Sequence, residues 1–258
     1  MNINFVTEAR LTPAFTRTLG KLFILMLVGL YLDSKHLAQH FEYGQEIALL
    51  MLVLALARKM WRCNRRLRIQ MVFAVIIGIG GEYLFSKGLG MYTYRLGNVP
   101  HYIPLGHAVV LASVLLFVKT KAVKIHRDVL EQVLQIFILA YSAIWLVFMR
   151  DVFGFVMSMA VLLILKRFPR ERLFYLSMYL VVVWLEIVGT NYEAWYWPDT
   201  AFNTFEWLPS ANPPTGISFF YFSLDLGSLW LYKMTNKKSW KRMKLQRSLR
   251  EYRPPELA

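Results

Sequence analysis

The sequence predicts an all-α polytopic membrane bundle of about eight spans, with both termini in the cytoplasm. Three observations predict it. The 258 residues are 57% hydrophobic and 16% aromatic, more apolar than a soluble domain of this length needs. The apolar residues fall in long runs and not in dyad alternation, which favours helices over a closed β-barrel. The basic residues behind the net charge of +14 cluster between these runs, where they act as topology signals. That placement argues against a nucleic-acid partner.

The runs give spans at roughly 18–32, 45–58, 69–86, 104–118, 130–148, 152–166, 173–190 and 215–233. The first follows Arg10, Arg17 and Lys21 and precedes no clear small-x-small cleavage site, so it reads as an uncleaved signal anchor. Lysines and arginines then alternate in density. The N-terminus, the 58–68, 119–127 and 166–172 loops and the tail from Lys233 hold 26 of them. The opposite side holds only Lys35, Lys87, Arg95 and Arg150. The positive-inside rule orients eight spans accordingly, in a bacterial-type inner membrane. The tail, 234–258, reads as a basic helix on anionic lipid headgroups. Cys63 is the single cysteine, so no disulfide framework exists.

Two long connections fall on the sparsely charged, non-cytoplasmic side, and they resemble each other. Each begins with a glutamate near the end of a span, Glu82 or Glu186. Each shows an aromatic pair about ten residues later, Tyr92 and Tyr94 or Trp195 and Trp197. Each closes on prolines and a glycine, Pro100, Pro104 and Gly106 or Pro209, Pro213, Pro214 and Gly216. They follow spans three and seven, so a parallel duplication is expected, with repeats at 1–128 and 129–233.

Charges inside hydrocarbon cost several kcal/mol, about 2.5–3.5 on the insertion scale, so they tend to face a cavity or a partner. Glu82, Glu186 and Asp225 fall within or at the edge of spans, with His107, Arg95, Asn191 and Glu193 near the same side. Glu82 is expected as an acid, Glu186 as its partner carboxylate, and His107 or Asp225 as a proton relay. Tyr92, Tyr94, Trp195, Trp197 and Trp207 would offer π-faces to a carbocation. Arg95, Asn191 and Glu193 complete the binding residues. Structural roles compete: Asp225 could pair with Arg95, Arg150 with Asp151 in a hairpin, and Glu193 could share a face with Glu186 if that helix continues. His36 and His40 have helical spacing but no obvious third ligand, so no metal site is assigned. Hydrolase, nucleotide-binding and zinc-protease signatures are absent.

Glu82, Gly90-x-Tyr92-x-Tyr94, Leu96-Gly97, Val99-Pro100 and Ile103-Pro104 together resemble the signature of the carotenoid-hydratase-type membrane family. That family resembles the bisanhydrobacterioruberin hydratases and is distantly like small membrane lycopene cyclases. Gly189 with Trp195-x-Trp197 is similar to its later tryptophan pair. The chain departs after Pro104, where Gly106-His107 stands in place of a tryptophan. The resemblance implies a cofactor-free, acid-catalysed reaction on a polyene or other isoprenoid, with Glu82 and the aromatic pairs in the site. A lipidic substrate hydrated or cyclised in an outward-facing pocket is thus the leading expectation. Lipid-headgroup modification, transport and a membrane assembly role are the alternatives.

Overall fold

Each apolar run of the sequence becomes a helix. The computed structural model describes residues 11–251. Arg10, Arg253 and the rest of the tail beyond Glu251 lie outside the described residues. A π-helical turn, Thr16–Gly20, leads into α1 (Lys21–Leu32). Then come α2 (Gly44–Arg62), α3 (Arg65–Glu82), α4 (Tyr102–Val118), α5 (Arg127–Met149), α6 (Val152–Arg167), α7 (Arg172–Asn191), α8 (Ser218–Thr235) and α9 (Lys237–Glu251). Four helical stretches are long and apolar enough to cross a membrane: Leu11–Ala38, Arg65–Gly88, Arg127–Met149 and Arg172–Asn191. Tyr102–Val118 is a shorter apolar helix.

Local chemistry sets the helix starts. Asn64 caps α3, its side-chain oxygen accepting the backbone N–H of Leu67 at 3.0 Å. Asp151 caps α6 through the N–H of Gly154, also at 3.0 Å. Both satisfy donors that the first helical turn leaves free. Past Glu82, α3 widens into a π-helical segment, Tyr83–Gly88, a local geometry frequent at functional positions.

α3, α4, α7 and α8 form a central ring: α3 packs on α4 and α8, and α7 packs on the same two helices. The α1–α2 pair flanks the ring, α2 against α4 and α1 against α7. The α5–α6 pair flanks it elsewhere, α6 against α8 and α5 against α7. Tyr179, fully buried in α7, donates from its hydroxyl to the Thr215 carbonyl at 2.7 Å and lies 2.8 Å from the Ser158 hydroxyl of α6.

The two long connections meet at one end of the ring. β1 (Thr93–Tyr94) pairs antiparallel with β2 (Trp195–Tyr196), Thr93 opposite Tyr196 and Tyr94 opposite Trp195. The Arg95 N–H extends this ladder to the Ala194 carbonyl at 2.9 Å. The second connection also folds β3 (Thr200–Ala201) onto β4 (Phe205–Pro209). At the other end, α9 turns back against the bundle: Trp240 lies beneath Arg66 and Lys233, 5.8 and 5.0 Å from their charges.

Candidate functional site

Glu82 and Glu186 are each buried, 3% and 4% exposed. They are held alike. Glu82 Oε2 accepts the hydroxyls of Tyr92 and Tyr94 at 2.6 and 2.5 Å. Glu186 Oε2 accepts the indole N–H groups of Trp195 and Trp197 at 2.9 and 3.0 Å. A hydrogen bond to a charged group is worth about 1.5–3 kcal/mol, so such donors offset much of the cost of burying a carboxylate. Burial, with the Glu82 carboxylate alongside, holds the Tyr92 and Tyr94 phenols well above their usual 10.0, so both remain donors.

The remaining oxygens differ. Glu82 Oε1 lies 2.7 Å from His107 Nε2. Among the described residues, Glu186 Oε1 has only the Tyr221 hydroxyl, at 3.4 Å. Tyr221 stacks obliquely on His107 with ring centroids 5.0 Å apart, linking the two carboxylate cages. The aromatic pairs also touch, Tyr92 against Trp197 at 4.7 Å and Tyr94 against Trp195 at 6.1 Å. A small cavity is lined by Glu82, Glu186, His107, both aromatic pairs and Tyr221.

A close approach builds the second cage. A Cβ on Gly189 would collide with the Trp195 ring, so glycine there lets the indole lie against α7 and reach back to Glu186, three residues earlier on the helix.

Two aspartates fix the connections above the cages. Asp33, fully buried at the end of α1, accepts from Arg95 at 2.6 Å, Tyr102 at 2.7 Å and Gln45 at 3.0 Å. Asp151, fully buried at the start of α6, accepts the Ala211 N–H at 3.1 Å and the Thr215 N–H and hydroxyl at 2.7 and 2.9 Å. Sequence reasoning missed both as anchors. Their available signal is an acid at the same place in each half, between spans one and two and between spans five and six. Tyr221 was missed as well, and nothing marks it among the aromatics of its run.

Several expectations need correction. Arg95 pairs with Asp33 and not with Asp225. Asp151 turns inward to backbone donors, and no ion pair with Arg150 forms. α7 ends at Asn191, so Glu193 shares no helix face with Glu186; it takes a positive φ of 53° and pairs with Lys35 at 2.6 Å, both side chains largely exposed. Asn191 donates to the Ile187 carbonyl at 2.7 Å within its own helix. Asp225 lies one turn along α8 from Tyr221 and does not line the cavity; its Oδ2 is buried without a hydrogen-bond partner. Arg95, Glu193, Lys35 and Asn212 instead line an outer vestibule that shares Tyr94 and Trp195 with the inner cavity. Among the described residues, no group of three or more His, Cys, Asp or Glu side chains is placed to hold a metal ion.

These features define a helical membrane protein with two caged carboxylates at one end of its bundle. No protein-family model, curated protein or solved structure matches the chain.

Proposed function

We propose that the chain is an integral membrane enzyme that hydrates or cyclises an unsaturated lipidic substrate of isoprenoid type by carboxylic-acid catalysis. The observation that carries this reading is the pair of buried glutamates, each held by two ring donors and both facing one aromatic-walled cavity. Glu186 is the proton donor, because its Oε1 is nearly free and, among the described residues, no cation or imidazole bonds it. This reverses the sequence expectation that Glu82 is the acid. Glu82, engaged by two phenols and His107, is the acceptor.

The steps balance without a cofactor once the proton gained at the Glu82–His107 pair returns to Glu186, which Tyr221 links to His107. Glu186 delivers its proton to one carbon of a double bond, leaving a carbocation on the other. The faces of Trp195, Trp197 and Tyr92 stabilise it. In hydration, water attacks the cation and its proton passes to the Glu82–His107 pair. In cyclisation, a second double bond attacks and a neighbouring carbon loses the proton to the same pair. The outer vestibule behind Tyr94 and Trp195 favours hydration, since it brings water to the cavity wall.

The membrane arrangement belongs to the same proposal. Eight spans place both termini in the cytoplasm and the cavity on the non-cytoplasmic side of a plasma membrane. Helices over all eight apolar runs support this, as do Lys35, Arg95 and Asp151 meeting the two connections at one end. The two four-span repeats are supported by the matched cages and by the β1–β2 register: an antiparallel pair centred on Thr93 and Tyr196 exchanges Tyr92 with Trp195 and Tyr94 with Trp197 under a twofold rotation. The basic helix α9 rests on anionic lipids at the opposite end.

The test is a comparison of total lipids and pigments from cells carrying wild type, a deletion, Glu82→Gln and Glu186→Gln at matched expression. A lipid displaced by the mass of water, or isomerised, in the deletion and both variants supports the reading. An unchanged profile removes it.

A further inference from the structure

We propose that the cavity beyond His107 is a slot for a single hydrocarbon chain, which it holds with the reacting end of the substrate against the His107–Tyr221 wall. This rests on the lipidic-substrate reading above, and it adds where the chain lies and what limits it. The slot is partly open to its surroundings and its lining is almost wholly apolar. It is a gap beside α1. That helix packs on α2 and α7, and α4 meets the preceding Thr16–Gly20 turn. Leu22, Met26 and Leu30 of α1 face Val109 and Val110 of α4 across it, with Leu185 of α7 alongside.

Its chemistry excludes other occupants. Among the described residues, three polar side chains reach the lining, Tyr102, His107 and Tyr221. The Tyr102 hydroxyl is already committed to Asp33. His107 and Tyr221 are shared with the carboxylate cavity, so the two spaces meet at those rings. Among the described residues, no lysine or arginine lines the slot, and the nearby cations are engaged, Arg95 by Asp33 and Lys35 by Glu193. An anionic headgroup therefore has no partner there. An apolar gap of this kind accepts an apolar guest.

Gly106 sets the width. It lines the slot, and a Cβ built on it meets nothing within 4 Å. A larger residue there projects into the slot and leaves the backbone packing alone. A phenylalanine would plug it.

The probe is oleyl alcohol carrying a photoreactive diazirine in its chain, added to purified protein in detergent, with labelled peptides read by mass spectrometry. Wild type and Glu82→Gln are expected to label at 22–30 and 109–110, with unlabelled oleyl alcohol competing. Gly106→Phe is expected to lower that label by about tenfold or more, as loss of even a few buried methylenes implies. Gly106→Leu, with its melting temperature checked, serves if the phenylalanine variant does not fold. Undiminished labelling in a folded plug variant overturns the slot, as does label spread evenly over the outer helix faces, or equal competition by a two-chain phosphatidylglycerol. Slot labelling that Gly106→Phe removes, together with a lipid profile unchanged by Glu82→Gln, keeps the slot and removes the catalytic reading.

Discussion

Tyr94 and Trp195 stand opposite each other on a two-residue ladder, and each bonds a different buried glutamate. The same few atoms therefore join the two connections and complete both cages. Disturbing one carboxylate should be felt at the other.

The roles proposed for the two acids make separable predictions. Glu186→Gln and Glu82→Gln should each lower turnover by roughly 10²–10⁴-fold, the usual contribution of a positioned acid or base. His107→Gln should fall less, because Glu82 and both phenols remain. Product formation per expressed protein in membranes checks this; equal activity in Glu186→Gln and wild type would remove Glu186 as donor.

Gly189→Ala should displace the Trp195 indole and loosen its bond to Glu186. Overpacking of this kind costs about 1–3 kcal/mol. A lowered melting temperature in detergent, with a shifted tryptophan emission, is the expected result.

Asp33→Ala leaves Arg95 partly buried without its partner. Breaking a buried pair from one side costs about 3–5 kcal/mol. Adding Arg95→Met should recover part of the loss, and a double-mutant cycle on thermal stability measures how much.

The raised phenols of Tyr92 and Tyr94 give a signed pH dependence. Their protons are held in the folded state beyond the usual 10.0. Their contribution is thus complete below that value and is lost as pH climbs through the raised range. Stability in detergent should be level up to 10.0 and fall as the pH rises above it, and Tyr92→Phe with Tyr94→Phe should make the fall smaller.

Topology is open to labelling. In a Cys63→Ser background, Gln39→Cys should react with an impermeant maleimide from outside the cell. Lys238→Cys should react only after permeabilisation. The reverse pattern would invert the proposed orientation.

The helices were legible because hydrophobic runs are local. The ranges 130–148, 152–166 and 173–190 lie within α5, α6 and α7. Glu82, Glu186 and the aromatic pairs were legible because the pattern occurs twice. What was not legible depends on distant partners. Arg95 and Asp33 are 62 residues apart and Asp151 and Thr215 are 64, and no periodicity encodes such meetings. A two-residue strand such as β1 carries no alternation to detect. Glu193 was misplaced because the helix stops at Asn191 and the chain takes a left-handed turn.

The β1–β2 ladder also bears on motion. It crosses between the two halves of the chain at the same end as the Arg95–Asp33 and Lys35–Glu193 ion pairs, the second of which also crosses. Prising the halves apart there would shear the ladder's hydrogen bonds, break the Lys35–Glu193 pair and part Tyr92 from Trp197 and Tyr94 from Trp195 at once. The ladder is a staple and not a hinge, so rocking the two halves against each other would have to undo the aromatic wall of the cavity at every cycle.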